Sequence, residues 1–278
     1  MNLATGTVIS QLPTGSVIFG NDVFPFTHGI TGSAVPQTQQ MSFSGLRTGY
    51  LNGFYQPTGT TILNSGWVEV NETWTYASAT TITVPTDATL TYQKGMKIRF
   101  KQGGAYKYFY GKTIAATLLT VTGGSDYSVA NSAITDVAYS FIERPFGFPE
   151  WFNYTPTLSL VTVGNGTLQG KFKISGLTVK FYAGFSLGST SAMGSGVPLF
   201  SNPVTLLSPV DTYIGKGIIL DSGTSRYPMM SNADANSVYC LLYSAGGTYV
   251  GESGMSSTAP MTWTTGDAIY VEVEGILA

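Results

Sequence analysis

Pro145-Phe146-Gly147-Phe148-Pro149-Glu150-Trp151-Phe152-Asn153-Tyr154-Thr155-Pro156 packs five aromatics and three prolines into twelve positions, between two long runs of strand-like sequence. Proline fixes its own φ and pushes the residue before it toward extended geometry, so Arg144, Phe148 and Thr155 are expected to stay out of helix. A flexible linker is rich in Gly and Ser and has nothing to bury. This stretch therefore reads as a stiff joint whose aromatics fill the contact between two β domains.

On the C-terminal side of the joint, strand candidates recur at the 8 to 12 residue spacing of a sandwich. They are residues 157–163, 168–174, 177–187, 204–207, 214–220, 237–243, 248–252 and 267–275. Gly164-Asn165-Gly166-Thr167 predicts a tight hairpin joining the first pair, because both positions of Asn-Gly accept positive φ. About eight strands in about 125 residues suit a jelly roll.

On the N-terminal side, Thr73-Trp74-Thr75-Tyr76-Ala77 and Thr80-Thr81-Ile82-Thr83-Val84 are rich in Thr and aromatics, and Pro85-Thr86-Asp87 marks a turn. Met96-Lys97-Ile98-Arg99-Phe100-Lys101 alternates apolar and basic residues, the pattern of a half-buried strand with one wet face. Gln102-Gly103-Gly104-Ala105 turns the chain and Tyr106-Lys107-Tyr108-Phe109-Tyr110 returns it as a hairpin. Leu118-Leu119-Thr120-Val121-Thr122 adds another strand. No stretch holds an apolar helical stripe for three turns, and the most that is expected is a single turn near Ser132-Ala133-Ile134.

Residues 1–60 are glycine-punctuated and nearly uncharged, yet hold Phe19, Phe24, Phe26, Phe43, Tyr50, Phe54 and Tyr55. Disordered chains usually have high net charge and few aromatics. The segment reads as an extended arm with short strands, lying in grooves of partner subunits; a small β subdomain is the plainer alternative.

Only 10% of the 278 residues are charged, against about 25% in a typical soluble domain, and the net charge is -2. A surface so poor in charge has little colloidal protection alone, which favours a part built to sit in an assembly. Near-neutral balance argues against bulk nucleic-acid binding. With Cys240 as the single cysteine and His28 as the single histidine, no disulfide framework or Cys/His zinc site can form, and a nucleophilic triad has no base other than His28. Cys240, in Val238-Tyr239-Cys240-Leu241-Leu242, reads as a buried apolar thiol. No apolar run approaches the roughly 20 residues of a membrane span, and the N-terminus lacks the basic and apolar regions of a signal peptide. Synthesis in the cytoplasm of the producing cell is expected.

Two parts of the chain carry a resemblance. Glu69-Val70-Asn71-Glu72-Thr73-Trp74-Thr75-Tyr76-Ala77-Ser78-Ala79-Thr80, the hairpin ending Lys107-Tyr108-Phe109-Tyr110, and Pro149-Glu150-Trp151-Phe152-Asn153-Tyr154 resemble a β module of tail and fibre proteins of tailed bacteriophages. The C-terminal part, with Tyr154-Thr155-Pro156-Thr157, Gly164-Asn165-Gly166-Thr167-Leu168 and Trp263-Thr264-Thr265-Gly266-Asp267, is similar to a jelly-roll module at the ends of such proteins. Together they cover about residues 66–278. The resemblance implies a trimeric structural or host-contact protein of the virion, without a cofactor.

Two constellations could carry chemistry. Lys97, Arg99 and Lys101 share one strand face, with Tyr106, Lys107 and Tyr108 on the returning strand, so a surface polymer bearing negative charge could bind there while the rings stack on sugars. The plainer alternative is a solvated strand face that discourages edge pairing. Glycan hydrolysis needs two carboxyls about 5 to 9.5 Å apart. Glu272 and Glu274 lie on one face of the last strand, but two exposed glutamates explain that pattern equally well, and Asp221 and Asp234 pair no better.

The expected molecule is all-β, with an N-terminal attachment arm (1–60), a small central β domain (61–148) and a C-terminal jelly-roll-like sandwich (149–278). Its expected role is non-enzymatic: a homotrimeric tail-tip or tail-fibre protein that meets a host-surface glycan or protein, joins other virion subunits through its arm, and needs no cofactor, metal, nucleic acid or membrane insertion. A capsid decoration or head-fibre protein is the first alternative and a polysaccharide-degrading tail enzyme the second.

Overall fold

In a computed structural model of the chain, residues 23–27, 38–42, 65–207, 213–244 and 249–278 are described. The chain divides into two compact units, Met1–Ser65 and Gly66–Ala278. In the first, β1 (Val23–Thr27) pairs antiparallel with β2 (Thr38–Ser42). The rest of the expected arm, and His28 with it, lies outside the described residues.

The second unit is built from antiparallel sheets. Its first sheet takes β3 (Val68–Glu69), β4 (Thr75–Ser78), β5 (Thr81–Thr83), β6 (Lys97–Gln102), β7 (Ala105–Ala115), β8 (Leu118–Thr122) and β9 (Thr135–Ser140), in the order β3-β9-β6-β7-β8-β5-β4. The expected basic hairpin forms as β6 and β7, turned at Gly103-Gly104, both with positive φ. Alternation does the sorting: Ile98, Phe100 and Phe109 point into a core with Trp74, Ile82 and Leu119, and Phe100 stacks on Phe109 with centroids 5.0 Å apart. No helical turn forms near Ser132. Among the described residues the helical turn is a 3-10 turn at Ala88–Leu90, capped by the Asp87 carboxylate accepting from Thr89 N.

The C-terminal strands are β10 (Phe152–Tyr154), β11 (Leu158–Ser159), β12 (Val161–Thr162), β13 (Thr167–Ser175), β14 (Thr178–Ser186), β15 (Ala192–Met193), β16 (Leu199–Ser201), β17 (Tyr213–Asp221), β18 (Ser225–Ala233), β19 (Ser237–Ser244), β20 (Gly251–Gly254) and β21 (Ala268–Ile276). Most join one ladder, β10-β13-β14-β21-β17-β18-β19-β16-β11, with β20 on β19. Phe181 and Phe185 of β14, Val271 of β21, Ile219 of β17, Cys240 of β19 and Phe200 of β16 fall in one buried cluster, so the ladder curls over a shared core as a sandwich does.

Three expectations change. The Asn165-Gly166 turn exists, but its flanking strands do not pair: β12 pairs with β15, while β13 forms its hairpin with β14 through Gly176-Leu177. Asn165 instead braces a neighbouring loop, its Oδ1 accepting from Thr190 N at 2.9 Å. The expected strand at 157–163 is broken at Leu160, which takes φ 63°, and 204–207 contributes only a bridge from Leu206 to Leu277.

The joint behaves as one aromatic seam inside the Gly66–Ala278 unit. Phe148 packs on Tyr110 of β7 at 5.0 Å and on Phe152 at 5.4 Å, and Phe152 packs in turn on Phe172 of β13 at 5.8 Å. Asn153 closes it with polar contacts: its N–H donates to Asp126 Oδ2 at 2.7 Å, and its carbonyl accepts from Ser125 N at 2.8 Å. A Cβ at Gly124 would collide with that same carbonyl, and its φ of 61° suits glycine. The boundary expected at 148/149 runs through this seam.

Candidate functional site

Lys97, Arg99 and Lys101 do share one face of β6, and the register sets them opposite Tyr110, Tyr108 and Tyr106. Lys107 does not join them; it sits opposite Phe100 on the other face, donating to Ser128 O at 2.7 Å and Gln102 Oε1 at 3.3 Å.

Most of this face is covered, and only Lys101 at its hairpin end keeps about a third of its side chain exposed. Lys97 is only 5% exposed, with Nζ 5.9 Å from the Tyr110 centroid and 5.7 Å from that of Phe148. Burial pulls its pKa below the usual lysine value, with Glu143 opposing. The Arg99 guanidinium lies 4.8 Å from the centroids of both Trp67 and Tyr106, and 3.9 Å from Glu69 Oε1. Lys101 Nζ reaches Asp136 Oδ2 at 2.7 Å. Nor does the face guard an edge, since β6 lies between β9 and β7. The reason is the joint: Phe148 folds back over the hairpin, and Trp67, held by Nε1 donating to Phe146 O at 2.8 Å, covers Arg99. Lys97, Arg99 and Lys101 with Tyr110, Phe148, Trp67 and Tyr106 form a sandwich of cations and rings that fixes the first sheet to the joint.

The carboxylates serve structure too. Glu72, within the motif behind the resemblance, accepts from Trp74 Nε1, Thr86 Oγ1 and Tyr92 OH. Asp234 accepts from the amides of Asn236 and Ser237 and from Tyr239 OH. Asp267 is fully buried, where it accepts from Ser222 N and Thr264 N at 2.9 and 2.6 Å. Glu272 and Glu274 do lie on one face of β21, but Glu272 is shared by Lys180 Nζ at 2.7 Å and Lys216 Nζ at 3.3 Å. Burial pushes its pKa up, and the two ammonium groups outweigh that and leave it below the ordinary glutamate value.

A different surface has the shape of a contact site. Across the outer face of the C-terminal sheet, the register aligns Asn153, Lys171, Tyr182, Glu272 and Lys216 in one row over β10, β13, β14, β21 and β17. Beside it runs a second row of Gln169, Gly184, Tyr270 and Ile218. Gly184 makes the trough: a Cβ there would stand 2.7 Å from Tyr270 Cδ1, so the missing side chain lets the Tyr270 ring lie over the strand. Two depressions result, of about 330 and 270 Å³, sharing Tyr182, Tyr270 and Val271 as walls. Tyr182 stays 38% exposed and is steadied by Trp151, 5.1 Å away between centroids, which Lys173 covers at 4.9 Å.

Comparison with known proteins finds no matching family model, no matching curated protein and no matching solved structure. The functional reading therefore rests on side-chain geometry and on the short motifs noted in the sequence. Of the trough's residues, sequence reasoning weighed only Glu272 as a candidate for chemistry, and it met Asn153 only as part of the joint. A signal was present: alternation in Lys171, Lys173 and in Lys180, Tyr182, Gly184 puts these residues on one face once their strands are recognised. What it lacked was the insertion of β21 between β14 and β17, where the pairing with β14 spans about 90 residues of chain and leaves no local mark.

Proposed function

We propose that the chain is a structural protein of a tailed-bacteriophage particle, a homotrimeric tail-tip or tail-fibre component that presents the C-terminal sheet to the host surface and joins other virion subunits through its N-terminal arm. The particle context comes from the resemblance of its motifs, and the sparse charge supports a life within an assembly. The carrying observation is the outer face of the C-terminal sheet, where an exposed ring, a free amide and an ammonium line a trough that no described part of the chain fills. The basic hairpin is the weaker contact surface, because its cations are already held by rings and carboxylates.

The test uses intact particles. Antibodies raised against residues 66–278 are expected to decorate the tail, added protein to block adsorption to host cells, and sedimentation to give three copies per assembly. Particles that carry no label, or adsorption untouched by saturating protein, would remove the proposal.

A further inference from the structure

We propose that the trough across β13, β14, β21 and β17 binds a linear acidic oligosaccharide, with its anionic group at Lys171 and neutral sugar rings lying on Tyr182 and Tyr270. The proposal rests on the attachment reading and names the site and ligand class for it.

Length comes from the sheet itself. Lys171 and Lys216 stand three strand intervals apart, about 14 Å at about 4.8 Å per interval. That exceeds one sugar ring, and the two depressions share a wall of Tyr182 and Tyr270, so a ligand filling both is a chain rather than a monosaccharide.

Chemistry follows from what is already satisfied. A pyranose has an apolar face of C–H bonds and a rim of hydroxyls. The tyrosine rings offer the matching flat surface, and the Gln169 amide, without a partner among the described residues, offers a donor and an acceptor to hydroxyls. Charge is divided unevenly along the trough. Lys180 and Lys216 are both tied to Glu272, and Lys173 sits over Trp151. Lys171 alone lines the larger depression as a cation, with no ion pair among the described residues. One anionic group is thus met at that end, and the other end receives uncharged sugar beside an ion cluster that is already paired.

Other occupants fit less well. A nucleic acid needs several unpaired cations to meet successive phosphates, and this face offers one. An extended peptide needs an open sheet edge; β14, β21 and β17 are paired on both sides, and beside Lys171 the outer side of β13 is taken by β10, which pairs with Gly170, Lys171 and Phe172.

The experiment is a glycan array probed with the full-length protein, carrying matched oligosaccharide backbones with and without a carboxylate or a phosphate. The wild type is expected to prefer the anionic members. Lys171→Ala should abolish that preference while neutral binding survives. Tyr182→Ala should weaken all binding by about tenfold or more, the size expected when a stacked ring is lost. Gly184→Ala, which displaces the Tyr270 ring, should weaken binding with the fold intact by circular dichroism. The inference is overturned if neutral and anionic members bind alike, if Tyr182→Ala and Lys171→Ala leave binding unchanged, or if the wild type binds no member. It is overturned equally if Tyr182→Ala shifts the sedimentation of the assembly, which would make the trough a contact between copies. Should host-cell adsorption still be blocked by the Lys171→Ala and Tyr182→Ala proteins, the trough falls and the attachment reading stands.

Discussion

Tyr154 carries a buried hydroxyl with no hydrogen-bond partner among the described residues, while its ring packs over Gly170 and against Phe172. Burial raises the pKa of this phenol, because the anion would be stranded in apolar surroundings. The ring serves the core and the oxygen opposes it. Tyr154→Phe is expected to stabilise the protein by about 1 kcal/mol, the cost of one unmet polar group, read as a higher urea midpoint at unchanged slope. A lower midpoint would show that the oxygen has a role in the fold. Cys240 was the better-read residue: its apolar neighbours in sequence become apolar neighbours in space, and it is fully buried. Lys97 was misread for a physical reason. Alternation shows which residues share a face, but not whether a distant segment covers that face, and here Phe148 does.

Hairpins divide by how local their information is. β6 and β7 were legible because Gly103-Gly104 and a strict alternation specify both turn and register within about 14 residues. β13 and β14 were legible as strands, yet the stronger turn signal at Asn165-Gly166 drew the pairing to the wrong side of β13. The chain has Asn165 bracing the 188–191 loop instead, a choice made by tertiary contacts. β18 escaped notice because Pro228 sits within it. Its ladder to β19 starts only at Met229, so on that side the missing N–H of Pro228 faces no partner strand. At the same scale, Glu272 ties β21 to both neighbours through Lys180 and Lys216. A carboxyl whose pKa is depressed on folding adds stability above its unfolded value, near 4.5, and loses it as pH falls through the lower folded value. Glu272→Gln should therefore cost about 0.5–1 kcal/mol at neutral pH, modest because the group is partly exposed. The gap from wild type should close below pH 4.5. A gap that persists at pH 3 would assign the loss to packing.

At the scale of the molecule, the stretch that suggested two domains with a joint between them is where the two sheets share their packing. Tyr110 belongs to the first sheet by hydrogen bonding, yet it sits in the buried cluster of the second. Composition could show that the joint's aromatics needed cover, but not that Phe152 and Tyr154 would be buried, Phe148 and Trp151 half-buried and Phe146 left exposed, nor that the burial would be shared by both sheets. It follows that Gly66–Ala278 should unfold as one cooperative unit. Phe152 is the side chain to remove, since it touches Tyr110 and Tyr127 on one side and Phe172 on the other. Phe152→Ala is expected to cost about 3–5 kcal/mol, as for other buried phenylalanines. The telling measurement is native-state hydrogen exchange, because it separates a global loss from a local one. Amides of β6 and β7 should lose protection to the same extent as those of β14 and β21. If only the second pair loses protection while β6 and β7 keep theirs, the seam is a contact between independent domains, and the boundary expected at 148/149 is a true one.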